Sequence, residues 1–209
     1  DLGPAAARMD EILTKLLTDE EPDVLCFQEV VDDMYEVLRS RTSAAGDMRE
    51  WSLHRRRDTE TNYYVVTAAK YARLEGERTT SKLLESKQGR HALTLTRQGM
   101  TFINVHSESG GYEDARNCRA SQLNYLARVH ENADGDACFL AGDFNLRQGE
   151  DQVLLDEGGL DSARQLVDVA NGDGWTWARG EFRARYDRVY VHAGEHDELH
   201  WLRCVTLPG

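Results

Sequence analysis

The chain has 209 residues, of which 30% are charged, and its formal net charge at pH 7 is −12. That length suits a single domain spanning residues 1–209 with a substantial core, and the acidity excludes broad, nonspecific attraction to a phosphate backbone. No stretch is long and apolar enough to span a bilayer, no signal peptide is visible, and Cys26, Cys118, Cys138 and Cys204 lack the Cys-x-x-Cys spacing of a zinc site. Cys26 and Cys138 sit in apolar runs and read as packed thiols, which favours a reducing compartment over a disulfide framework.

In chain order, Met9, Ile12, Leu13, Leu16 and Leu17 recur at helical spacing, so the first segment is an amphipathic helix. Pro22 cannot continue that helix. Asp23-Val24-Leu25-Cys26-Phe27-Gln28-Glu29 then reads as a buried strand ending in two polar residues. Asp32 and Asp33 open a second helix, where acidic residues suit the positive end of the helix dipole. Tyr63 to Ala69 and Ala92 to Thr96 read as strands, and Thr101 to Val105 is an apolar strand running into His106, Ser107, Glu108 and Ser109. Glu113 to His130 is a helix, Ala137 to Ala141 a buried strand, and Tyr186 to Val191 another strand. The polar or glycine-rich stretches 51–60, 75–89 and 171–180 read as surface loops. No internal repeat or low-complexity linker is present. Strands with interspersed helices and no strict alternation fit an α+β domain with mixed sheets.

The strand at 137–141 stops abruptly in Gly142-Asp143-Phe144-Asn145. Glycine permits a sharp turn and close approach of a ligand. Asp143 can then orient or deprotonate a water, and Asn145 can hydrogen-bond that water or a phosphate oxygen. A bare strand-end turn uses the same residue types, but the design recurs. Glu29, then His106 with Glu108, then Asp143 with Asn145 all follow apolar strands, which predicts one cluster of acids, amide and imidazole at one sheet edge.

Phe27-Gln28-Glu29-Val30, His106-Ser107-Glu108-Ser109, Gly142-Asp143-Phe144-Asn145 and Arg185-Tyr186-Asp187-Arg188-Val189-Tyr190 stand in the order of the endonuclease/exonuclease/phosphatase superfamily, which the chain resembles over nearly its whole length. Leu146-Arg147 after Asn145, the His-x-Glu-Ser motif, and Thr176-Trp177 ahead of the Tyr-Asp-Arg strand are similar to its tyrosyl-DNA phosphodiesterase 2 branch. The resemblance implies a four-layer α/β/β/α sandwich of two packed mixed sheets flanked by helices. It implies a Mg²⁺-dependent (or Mn²⁺-dependent) phosphodiesterase that splits a 5′-phosphotyrosyl bond between a protein adduct and a DNA 5′ end. A monomer in the nucleus, and also the cytoplasm, is expected, repairing DNA with no membrane partner.

By that resemblance Glu29 holds the metal, and Asp143, Asn145, His106 and Asp187 are catalytic. Asp143 activates water, His106 donates to a phosphate oxygen with Glu108 or Ser109 fixing its ring, and Asp187 orients a terminal histidine. Arg147 and Arg119 are expected to contact substrate phosphates, Glu108 and Ser109 to belong to the substrate site, and Trp177 and Tyr63 to stack on bases of a single-stranded end. Arg55-Arg56-Arg57 and Arg116 could add to a basic patch. The family's Thr-Trp-Asn strand and terminal Ser-Asp-His motif are not found between Asp1 and Gly209, so the chain is expected to represent a catalytic domain with both ends missing. His192, His196 and His200 stand in no such motif. Other members' activities stay open: an abasic-site endonuclease or other nuclease, an inositol-phosphate or lipid phosphoesterase, and a non-enzymatic binding module.

Overall fold

The computed structural model describes residues 3–71, 76–131, 137–147, 149–150, 166–168, 176–179 and 181–192. Helix α1 covers Pro4–Asp19, with Pro4 in its first turn, where no backbone N–H is needed. Strand β1 (Val24–Val30) leads into α2 (Asp32–Arg41), whose first turn holds Asp32 and Asp33 and whose last holds Arg39 and Arg41. Strands β2 (Trp51–Arg57), β3 (Tyr64–Lys70), β4 (Arg78–Leu83), β5 (His91–Arg97) and β6 (Met100–His106) follow. Then come α3 (Glu113–Glu131), β7 (Ala137–Asp143), β8 (Leu166–Asp168), β9 (Trp177–Arg179), β10 (Phe182–Ala184) and β11 (Asp187–His192).

Two sheets result. One has the order β1-β3-β2 and is antiparallel throughout. The other has the order β4-β5-β6-β7-β11-β8 and is mixed, with β6 and β7 its parallel pair. The layered sandwich is therefore as expected, except that only the larger sheet is mixed. A short β9–β10 hairpin stands apart from both.

Alternation along each strand sorts the layers. Tyr64, Val66 and Ala68 of β3 pack with Met9 and Leu13 of α1 and Val37 and Leu38 of α2. Ile103 and Val105 of β6 pack with Leu123 and Leu126 of α3. Helices thus cover the two outer faces, and the inner faces meet each other. At that meeting Asn104 is fully buried. Its Nδ2 donates to Val66 O (2.9 Å) and Thr67 Oγ1 (3.2 Å) on β3, and its Oδ1 accepts from Gln28 Nε2 (2.6 Å) on β1. A buried amide costs stability unless its bonds are made, and these bonds tie one sheet to the other.

Two stretches expected as loops carry strands. Within 51–60 lies β2, and within 75–89 lies β4. Both are edge strands, so their outward residues stay polar and the apolar signal of a strand is lost. Trp177–Arg179, within the third expected loop, is β9. His196, His200 and Cys204 lie outside the described residues.

Candidate active site

Backbone pairing alone brings three motifs together. His106 and Asp143 are partners across the parallel β6–β7 pair, and Asp143 is also the partner of Asp187 across β7–β11. Glu29 arrives from the other sheet. The β1–β3 register breaks between Phe27 and Val30, and Glu29 takes φ +55°, so Val30 is buried while the Glu29 carboxylate turns out to solvent. Asn145 also has positive φ (+50°). Gly142 has φ +140°, and a Cβ there would lie 2.0 Å from Val105 O, so only glycine fits. Left-handed backbone in non-glycine residues costs about 1–3 kcal/mol each and gathers at functional sites.

The centre of the cluster is the His106 ring, 1% exposed. Its Nδ1 lies 2.7 Å from Arg90 Nη1. A guanidinium only donates, so Nδ1 accepts and the ring proton sits on Nε2. Burial, then the Arg90 charge, lower the imidazole to about 3, so the ring is neutral. Nε2 has no hydrogen-bond partner among the described residues. It lies 3.7 Å from Glu29 Oε1 and 4.0 Å from Asp143 Oδ2, beyond bonding distance of both. A buried N–H donor is thus aimed into the gap between two carboxylates.

Those carboxylates crowd one another. Burial first, then the Asp187 and Glu29 charges, push Asp143 up to about 7, although the Asn145 N–H donates to its Oδ1 at 2.8 Å. Asp187 is raised too, chiefly by desolvation, although the residue stays solvent-accessible. The Asn145 amide donates to Ser107 O at 3.3 Å, which ties the turn after β7 to the end of β6. The donor set suits a hard divalent cation, which takes one or two carboxylates and fills its shell with water and phosphate oxygens. The mutual repulsion is what such a charge would relieve. No group of three or more His, Cys, Asp or Glu among the described residues forms a closed metal cage, so Glu29 would serve as an open, one-carboxylate anchor.

Several residues sit elsewhere than the sequence led us to expect. Glu108 and Ser109 do not touch the His106 ring. Glu108 is fully buried and accepts from Ser86 Oγ and Gln88 N, while Ser109 bonds Gln88. Gln88 Oε1 in turn accepts from Arg90 Nε at 3.1 Å. Both therefore anchor the segment that delivers Arg90, and are separated from the imidazole by Gln88 and Arg90. Arg119 is not a free phosphate ligand. It is 1% exposed, forks onto Glu150 with two 2.8 Å bonds, and donates to Glu108 O and Gly110 O. Tyr63 is half-buried before β3, where its carbonyl accepts from Asp58 N.

Arg147 and Trp177 do lie together beside Asp187. The Arg147 guanidinium stands 4.5 Å over the Tyr186 ring, and Trp177, 41% exposed, meets the same ring at 5.7 Å. The Thr176 hydroxyl accepts from Tyr186 N and Asp187 N, pinning the start of β11.

Sequence reasoning missed Arg90 and Asp58. Asp58 Oδ2 accepts from Arg90 Nη1 at 2.8 Å, and both side chains are almost wholly enclosed. Nothing in Gly89-Arg90-His91 announces a buried guanidinium, since an arginine opening a strand is ordinarily solvated. Asn104 left no clear signal either: between Ile103 and Val105 on an alternating strand, an amide reads equally well as a solvent-facing position.

The Endonuclease/Exonuclease/phosphatase family profile matches residues 4–201. No curated protein sequence matches the chain. Among solved structures, a humanized D. rerio TDP2 carrying 14 mutations superposes with a TM-score of 0.68 at 20% identity, covering 91% of this chain and 78% of that one. D. rerio TDP2 complexed with single strand DNA product gives a TM-score of 0.64 at 19% identity, with 91% and 78% covered. A variant of the 3′ phosphatase NExo from Neisseria, bound to a product DNA hairpin, gives 0.61 at 18%, with 90% and 82% covered. At such identities the likeness speaks for the fold.

Proposed function

The chain belongs to the endonuclease/exonuclease/phosphatase family, whose fold is that of phosphoester hydrolases, and on that premise we propose that it is a metal-assisted phosphodiesterase acting at a DNA end. The substrate we assign is a 5′-phosphotyrosyl bond, cleaved to a 5′-phosphate and a free tyrosyl side chain, and the setting is DNA repair in the nucleus. The observation that carries the reading is the His106 Nε2–H, buried, unpartnered and aimed between Glu29 and Asp143. A phosphate oxygen is the acceptor that such a donor lacks.

Glu29 would hold the cation, Mg²⁺ or Mn²⁺, both of which take carboxylate and water oxygens. When bound, the cation supplies positive charge against a non-bridging oxygen and draws Asp143 back towards its ionised form. Asp143 aligns the attacking water and takes its proton. His106 donates from Nε2 to the oxygen on which charge builds, and Arg90 keeps the proton on that nitrogen. The Asn145 turn holds Asp143 in place. The departing phenolate, with a reference pKa near 10, leaves more readily than an alkoxide, so the chemistry asks little of a general acid. Arg147 and Trp177 flank the exit along the DNA, one for a phosphate and one for a base.

The TDP2 and NExo likenesses both concern proteins seen with DNA product, which supports DNA as the polymer. NExo's own chemistry also keeps a second reading in play, a phosphatase or exonuclease working at a plain DNA end. Parallel assays on tyrosyl-oligonucleotide, 3′-phosphorylated oligonucleotide, abasic duplex and inositol polyphosphate, each with Mg²⁺, test the assignment. Turnover greatest on the tyrosyl substrate is expected, and turnover confined to any other overturns it.

A further inference from the structure

Arg55, Arg56 and Arg57 take no part in the site above. They are exposed on β2, an edge strand, and none of them ion-pairs with a carboxylate among the described residues. In a chain of net charge −12, three adjacent guanidiniums without a carboxylate partner stand out electrostatically. Pleating puts Arg55 and Arg57 on the face of their partners Val66 and Tyr64. Arg55 lies 4.0 Å over the Tyr35 ring and 4.9 Å over Tyr64, and Arg57 lies 5.7 Å over Tyr64. The two rings stack at 5.9 Å, Tyr64 donates to Asp32 at 2.8 Å, and Arg57 donates to Asn62 at 2.5 Å. Stacking fixes the guanidinium planes in advance and leaves N–H edges free, so little side-chain freedom is lost when an anion binds. Two such groups, two residues apart on a strand, are about 6.8 Å apart along it, a separation that successive phosphates of an extended strand can bridge.

A cleft of about 770 Å³ opens along these arginines. Two of its wall residues link it to the active site. Asp58 forms part of its wall while bonding Arg90, which bonds His106. Tyr64, also in the wall, is the strand partner of Val30, next to Glu29. Of the carboxylates lining the cleft, Asp58 is committed to Arg90 and only Glu60 is uncommitted. The cleft lies on the three-stranded sheet beyond Glu29, whereas Arg147 and Tyr186 lie beyond Asp143 on the six-stranded sheet.

We propose that this cleft is a second phosphate-backbone site, holding a further stretch of nucleic acid through Arg55 and Arg57 while one phosphate lies at the centre between Glu29 and Asp143. A polymer with an anion at every residue, anchored at that centre, carries its next anions over the surface around it, and the cleft at Arg55 and Arg57 lies on one side of that centre. This extends the reading of the site as a nucleic-acid phosphodiesterase and rests on it. The stretch belongs either to the same strand or to its complement, and both present the same phosphates.

The test is binding in the presence of chelator, where nothing is turned over. Fluorescence anisotropy with a labelled single-stranded oligonucleotide, and with the same strand in a blunt duplex, is measured across salt concentrations. Arg55→Ala/Arg57→Ala should weaken binding about tenfold or more at low salt. It should flatten the log–log salt slope by about 1.4 on the single strand, or about 1.8 on the duplex, and the arm that changes identifies the strand held. Arg55→Lys/Arg57→Lys should restore the slope. If the alanine pair fails to fold, Arg55→Gln/Arg57→Gln serves as the neutral variant, with matched thermal melts as the check. Arg78→Ala/Lys82→Ala, on the exposed edge strand β4, controls for net charge alone. The proposal is overturned if affinity and slope stay unchanged on both DNAs, or fall no further than in that control. It is overturned equally if a polyglutamate peptide binds through Arg55 and Arg57 more tightly than DNA does. Normal binding losses with no hydrolysis of tyrosyl-DNA under Mg²⁺ would sink the function assigned to the site and leave the cleft standing.

Discussion

Asp143→Asn should stabilise the metal-free protein at alkaline pH while abolishing hydrolysis. The Asp143 side chain is 23% exposed and its carboxyl is raised from 3.8 to about 7 by burial, Asp187 and Glu29. A group whose folded pKa lies above its unfolded value loses stability as pH rises between the two. The native site is therefore unpenalised below about pH 4, and the full penalty is present above about pH 7. At about 1.36 kcal/mol per pH unit the ceiling is about 4 kcal/mol, and solvent contact and local relaxation reduce it to about 2–4 kcal/mol. Asparagine has the same shape, keeps an oxygen for the Asn145 N–H, and carries no charge to desolvate. Thermal melts with chelator at pH 4.5 and pH 8 should show parent and variant nearly equal at the lower pH. At pH 8 the variant should melt higher, by at least about 2 °C per kcal/mol. Mg²⁺ should stabilise the parent more than the variant, since the cation relieves the same repulsion. Activity should fall by about 10²–10⁴, the usual contribution of a general base. Equal melting of the two proteins at pH 8 in chelator, or a variant less stable at both pH values, would refute the crowded-carboxylate account.

Glu29→Gln should weaken Mg²⁺ binding and lower activity, with partial rescue at high metal; unchanged affinity by calorimetry would remove Glu29 from the metal site. Arg147→Ala should cost more on tyrosyl-DNA than on a small aryl phosphodiester of thymidine, and should flatten the salt dependence of the DNA reaction, because the small ester has no further phosphate for the guanidinium to hold. Equal losses on both substrates would place Arg147 at the reacting phosphate or in the fold. Arg90→Ala should destabilise the protein by about 3–5 kcal/mol in urea titrations, because it strands the enclosed Asp58 carboxylate. Pairing it with Asp58→Asn should recover part of that loss, and an additive double variant would argue against the ion pair as the cause.

The strands of a mixed α+β domain and the meeting of Glu29, His106 and Asp143 were legible because apolar runs ending in polar residues mark strands that deliver side chains to a sheet rim, whereas the two-sheet layering and the place of Asp187, which opens its strand, came from the family resemblance. Edge strands were not legible. In β4 all six residues are exposed, so hydrogen bonding to β5, and not burial, makes it a strand. Nor was the support behind the imidazole. The His-x-Glu-Ser motif suggested that neighbours in sequence hold the ring, whereas the holder comes from Arg90, 16 residues earlier, through a loop that those neighbours anchor. Arg119 misled for a related reason. A surface-type residue on a helix turns inward when a carboxylate such as Glu150 and two loop carbonyls are there to receive four of its five N–H donors, and no local pattern encodes that.

Asn104 acts as a ruler between two slabs. The proposed active-site gap is bounded on one side by Glu29, one residue past Gln28, and on the other by His106, two residues past Asn104, and the Asn104 amide grips both slabs just behind that gap. Its width is therefore set by how the sheets are shimmed against each other, not by either sheet alone. A slip of one slab over the other would spread Glu29 from His106 without breaking a single strand pair. Warming or mild denaturant that loosens this seam should then silence the protein while its circular dichroism still looks native, so that loss of turnover, and not loss of secondary structure, reports a slip between the sheets.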